Sequence, residues 1–140
     1  MRTKQTLTVA GDFRNLEQVA RFVRRIAAAS GLSESQTDDV EMAVDEAVSN
    51  VIEHSYAGHP KGKIAITCIV SSEELVVEIR DQGKPFDPGS IRDPLVQGPI
   101  SERSVGGLGV FFTRKLMDWV EFESLGARGN LVIMGKRIPR

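Results

Sequence analysis

Two alternating runs, KIAITCIV (Lys63–Val70) and ELVVEIRD (Glu74–Asp81), stand three polar residues apart. A period of two sends every second side chain to the same face, so each run reads as a strand and the link SSE as a hairpin turn. A lone hairpin with one apolar face is at best marginal in water, so something must cover it. Two helical patterns upstream supply that cover. Leu16, Val19, Ala20, Val23, Ile26 and Ala27 recur at helical spacing, with Asn15 and Gln18 as an expected capping box and Gly31 as the stop. Ser33 and Gln36 announce a second helix. Its stripe of Val40, Ala43, Val44, Ala47, Val48 and Val51 runs to about Ser55.

The remaining elements fit the same layering. Thr6 to Phe13 reads as a short strand, and WVEFES and NLVIMGKR read as a second hairpin around LGARG. The cluster GGLG opens a third helix through roughly Met117. Residues 89–105, with Pro94, Gly98 and Pro99, show no periodicity, and loops of this length usually carry function or are disordered. The order strand, two helices, hairpin, long loop, helix, hairpin predicts a two-layer α/β sandwich, with about five strands and the helices on one face. At 140 residues the chain, 1–140, is expected to form a single domain.

Composition removes several classes of function. Eighteen basic residues against nineteen acidic ones give a net charge of −1, which offers no bulk attraction to nucleic acid or to an anionic membrane. The single cysteine, Cys68, excludes an internal disulfide and a multi-cysteine metal site. It alternates with Ile64, Ile66 and Val70, as a buried strand residue would. No apolar run reaches the ~20 residues that span a bilayer. The opening MRTKQTLTVAGDF lacks a signal peptide's apolar stretch, so a cytoplasmic location is expected. Trp119 and Phe122, at the start of the closing hairpin, are read as core.

Three stretches could carry chemistry. In DEAVSNVIEH, Glu46, Asn50 and His54 recur every fourth residue. At ~100° per residue, Glu46 and Asn50 lie roughly 40° apart on the flank of the apolar stripe. An Asn oxygen is a hard ligand acceptable to Mg²⁺, and a carboxylate one turn earlier could accept a proton; a solvated flank carries the same residues. His54 is read as a helix-terminal histidine, and His59 has no assigned role. In DQGKPFDP, Asp81 ends a strand, and Gly83 would let a planar ligand approach the backbone; a plain β-turn uses the same residues. An ionised Asp only accepts hydrogen bonds, which suits an exocyclic amino group. In SVGGLGVFFTRKL, glycines before a helix leave amide N–H groups free for phosphate oxygens, although the spacing fits neither a Rossmann turn nor a P-loop.

In this order the three stretches resemble the boxes of the GHKL ATPase superfamily, shared by histidine kinases and gyrase. EAVSN resembles the N box, DQGKPFDP the first glycine box and GGLG the second. The FDP sequence, the run GGLGVFFTRKLMDWVEFES and the short length look like the RsbW-type anti-sigma factors, which are serine/threonine protein kinases. The resemblance implies the Bergerat fold with a mixed sheet, ATP or ADP with Mg²⁺, and partner switching. The partners would be a sigma factor and a STAS-type anti-sigma-factor antagonist, with a homodimer and no direct contact with nucleic acid or membrane.

By motif position, the resemblance makes Glu46 the general base and Asn50 the Mg²⁺ ligand. Asp81 receives the adenine amino group and Gly83 leaves room for the ring, with Phe86 grouped beside them. Gly107, Leu108 and Gly109 face the phosphates, Arg103 in the 89–105 lid meets the γ-phosphate, and Arg21 on the first helix touches protein partners. The family pattern carries Gly-Thr before the last strand, where this sequence reads RGN and places Asn130 at the Thr position. A non-catalytic, nucleotide-dependent module that sequesters a partner is the competing reading.

Overall fold

The computed structural model describes residues 2–56, 62–83 and 113–139. Strand β1 spans Thr3–Ala10, helix α1 Leu16–Ala29 and helix α2 Glu34–Asn50. The expected hairpin follows as β2, Lys63–Val70, and β3, Glu74–Asp81; Trp119–Ser124 and Asn130–Arg137 form β4 and β5. Residues 113–116 are helical, in agreement with the end of the expected third helix.

The sheet order is β1-β2-β3-β5-β4. All four pairings are antiparallel, so the expected mixed sheet is corrected to an antiparallel one. Periodicity reports which face a residue takes and is silent on strand direction. One face carries Ile64, Ile66 and Cys68 from β2, Leu75, Val77 and Ile79 from β3, and Met134 from β5, all buried. Val19, Val23, Ile26 and Ala27 of α1 and Val40, Ala43, Val44, Ala47 and Val48 of α2 complete this core, giving the expected two layers. Burial pushes the Cys68 thiol up to about 12, so it serves as a core residue.

Local chemistry fixes the helix ends. Ser33 Oγ accepts from Gln36 N and the Gln36 side chain accepts from Ser33 N, the capping box that the sequence predicts. The box expected at Asn15 and Gln18 is absent. Asp12 instead accepts from Arg14 N to start a 3₁₀ turn at Phe13–Asn15, and Asn15 Nδ2 donates to the Ala10 carbonyl. Gly31, at φ +108°, turns the chain out of α1. Arg24 of α1 ties the two helices by pairing with Asp38 and Glu41, each at 2.7 Å. Phe122 packs against the core. Trp119 does not: it lies over Gly135 on the opposite face of the sheet and donates to Glu74 Oε2 at 3.1 Å.

Candidate active site

The alternation that buries Leu75, Val77 and Ile79 continues one step further and buries Asp81. Its register partners are Ile64 on β2 and Asn130 on β5, so a carboxylate closes one end of the apolar, helix-facing side. A carboxylate only 1 % exposed must be hydrogen-bonded to be tolerated there. Oδ1 accepts from Gly83 N at 2.9 Å and from Asn130 Nδ2 at 3.0 Å. Gly129 makes this junction possible. At φ +99° its backbone presses on β3 so closely that a Cβ would lie 1.9 Å from the Asp81 carbonyl oxygen.

The second part of the site is the last two turns of α2. Glu46 and Asn50 sit there half-buried, one turn apart, on the flank where the spacing places them. Burial first, then the charges of Asp45 and Glu53, raise the Glu46 pKa above its ordinary value. Asp45 is raised as well, by burial and then by Glu41. A carboxylate whose charged form is disfavoured in this way has a strengthened pull on a proton. After Asn50 the helix widens into a π turn, Val51–Ser55, closed by Tyr56 N on the Val51 carbonyl. The every-fourth-residue row of Glu46, Asn50 and His54 therefore breaks after Asn50, because a π turn holds more residues than an α turn.

Tyr56 joins the two parts, and no sequence motif pointed to it. Its hydroxyl accepts from Gln82 N at 2.8 Å and donates to the Lys63 carbonyl, tying the end of α2 to β2 and to the residue after Asp81. The ring fits between two glycines: a Cβ would come within 2.6 Å of it at Gly11 and 2.2 Å at Gly62. Burial raises the Tyr56 pKa; the hydrogen bond from Gln82 opposes this rise and the charge of Asp81 adds to it. An aromatic residue amid glycines just past a helix end was the available signal.

Arg21 has its ion-pair partner on its own helix. It is exposed on α1, 3.7 Å from Glu17. Phe86, Arg103, Gly107, Leu108, Gly109, the lid at 89–105 and His59 lie outside the described residues.

The donor set suits a nucleotide with a hard cation. Among the described residues no group of three or more His, Cys, Asp or Glu could cage a metal. Asn50 offers a hard amide oxygen, and Mg²⁺ in nucleotide sites takes much of its shell from water and phosphate oxygens. The buried, acceptor-only oxygens of Asp81 suit an amino-bearing base.

Comparison with known proteins identifies the chain's family. The family described as the histidine kinase-like ATPase domain matches residues 9–136. The anti-sigma F factor of Oceanobacillus iheyensis is 32% identical over 123 residues, covering 83% of each chain. A serine-protein kinase RsbW of Listeria monocytogenes is 30% identical over 100 residues, covering 69% of this chain; this chain spans 64% of that kinase's length. The crystal structure of the RsbU and RsbW domains of Rv1364c from Mycobacterium tuberculosis shares the fold. It has a TM-score of 0.71 and 19% identity, and covers 99% of this chain and 33% of that one. The chain belongs to the histidine kinase-like ATPase domain family, among relatives that include anti-sigma F factor and serine-protein kinase RsbW.

Proposed function

We propose that this chain is an ATP-dependent serine/threonine protein kinase acting as an anti-sigma factor. It binds a sigma factor and phosphorylates a STAS-type antagonist, which frees the sigma factor by partner exchange. The observation that carries the reading is Glu46, half-buried with a raised pKa, one turn before Asn50 on a helix that Tyr56 fastens beside Asp81. Names borne by relatives at about 30% identity, anti-sigma F factor and serine-protein kinase, support the same reading.

Phosphoryl transfer asks a protein mainly for positioning and charge stabilisation. In this reading Asp81 accepts the adenine amino group and Gly83 admits the ring, with Phe86 nearby. Glu46 takes the proton from the substrate hydroxyl as its oxygen bonds to the γ-phosphorus and ADP departs. Mg²⁺, held by Asn50, would offset phosphate charge. Gly107, Leu108 and Gly109 would meet the phosphates and Arg103 the γ-phosphate, while Arg21 would serve the protein partners. Residues 1–140 act as one domain in a cytoplasmic homodimer. No described helix is long and apolar enough to cross a membrane.

The test is to mix the purified protein with labelled ATP, Mg²⁺ and a STAS-type antagonist from the same cell. Label on serine or threonine of the antagonist is the expected result. Tight complex formation without transfer would overturn the kinase assignment and leave a nucleotide-dependent binding module.

A further inference from the structure

Asn130 is only 4 % exposed, and its amide meets Asp81 Oδ1 at 3.0 Å. Chemistry dictates which end of the amide faces the acid. A carboxylate oxygen accepts, so the NH₂ must point at it, whereas the amide oxygen would be repelled. The second donor on the same oxygen, Gly83 N, comes from the segment after β3, while Asn130 comes from the neighbouring strand β5. A carboxylate held at one oxygen by donors from two separate segments has its plane fixed, and with it the direction of the other oxygen. Gly129, with no side chain to separate β5 from Asp81, lets the amide come this close.

We infer that Asn130 is a positioning residue for base recognition: it holds the Asp81 carboxylate in the orientation that selects a 6-amino purine over a 6-oxo purine. This rests on the ATP-site reading above. A threonine hydroxyl, the residue of the family pattern, is shorter and can turn to donate or to accept. An amide NH₂ facing a carboxylate can only donate, so Asp81 is set before any ligand arrives, and pre-organisation of this kind improves discrimination. A 6-oxo base would bring an acceptor against the fixed acceptor, whereas the 6-amino base brings a donor.

The experiment measures dissociation constants for ATP and ITP, with Mg²⁺, on wild type, Asn130→Ala and Asn130→Thr, each checked for folding by thermal melting. Both nucleotides report on the same folded population, so their ratio does not move for a purely structural reason. Wild type should favour ATP. Asn130→Ala should lower the ATP-to-ITP preference about tenfold, the equivalent of one lost hydrogen bond, and Asn130→Thr should fall between the two. A folded Asn130→Ala with the wild-type ratio overturns the assignment. If the alanine variant does not fold, Asn130→Thr decides: a wild-type ratio overturns the role and a reduced one supports it. Wild type that binds both nucleotides equally overturns the selection proposed here, whereas wild type that binds neither overturns the ATP site itself, a failure distinct from the first.

Discussion

The sheet end and the helix end of the site solve opposite problems. At the sheet end, Asp81 is buried among donors from other segments, and Tyr56 and Gly129 close the backbone around it. At the helix end, Glu46 keeps a half-exposed carboxylate whose pKa is raised by partial burial first and then by its acidic neighbours. Satisfied hydrogen bonds make a rigid shape, which recognition needs. A disfavoured charge stores a pull on protons, which transfer chemistry needs, and it costs stability. Changes at the helix end should therefore alter rate, whereas changes at the sheet end should alter binding and folding together.

The largest effect that sharpens this contrast is expected from Glu46→Gln. Phosphotransfer should fall about 10²–10⁴-fold with nucleotide affinity kept, as single-turnover assays beside equilibrium binding would show. The variant should melt no lower than wild type at neutral pH. Because the folded pKa of Glu46 is raised, its ionised form costs stability above that pKa, and the cost disappears as pH falls through it. Any stability gain in the Gln variant should therefore shrink on acidification. The acid limb of the wild-type rate profile should lie above the ordinary value of 4.5. A Gln variant that transfers phosphate at the wild-type rate would erase the distinction between the two ends.

At the sheet end, Gly129→Ala should be the most damaging change. The added Cβ meets backbone atoms, 1.9 Å from the Asp81 carbonyl oxygen, at φ +99°. A loss of about 2–4 kcal/mol by chemical denaturation, with weakened nucleotide binding, is expected. Next comes Tyr56→Phe, which keeps the ring between Gly11 and Gly62 but strips partners from Gln82 N–H and the Lys63 carbonyl. It should cost about 1–3 kcal/mol and weaken binding more than it slows transfer at saturating ATP. Equal stability of the two proteins would mean that Tyr56 only fills space.

How much of this was legible depended on how local the cause was. Ser33 and Gln36 lie three positions apart and cap α2 through their own contacts, so sequence sufficed. Asn15 and Gln18 show the same spacing, yet Asp12 captures the turn first and Asn15 turns back to Ala10, a competition that spacing does not rank. The row of Glu46, Asn50 and His54 assumed an unbroken α-helix, and the π turn after Asn50 ends it. The sequence marks Asp81 as a strand-end acid. Its burial was implicit in the alternation from Leu75 to Ile79, which places position 81 on the inward face. The Asp81–Asn130 contact joins residues far apart in sequence, and the pairing of β3 with β5 creates it.

The smallest predicted effect tests whether stability lost away from the site leaves the chemistry alone. Ser33 caps α2 at the end opposite to Glu46 and Asn50, and its side chain answers one backbone N–H that the helix itself cannot satisfy. Ser33→Ala should cost about 1 kcal/mol, visible as a lower denaturation midpoint with an unchanged slope. Neither part of the site touches this cap: Tyr56 fixes the far end of the helix to Gln82, and Asp81 is held from β5. ATP affinity and single-turnover rate should therefore match wild type under conditions where both proteins are fully folded. A rate drop in folded Ser33→Ala, with affinity kept, would mean that α2 transmits strain along its length to Glu46. The two ends of the site would then be coupled through the helix rather than separately built.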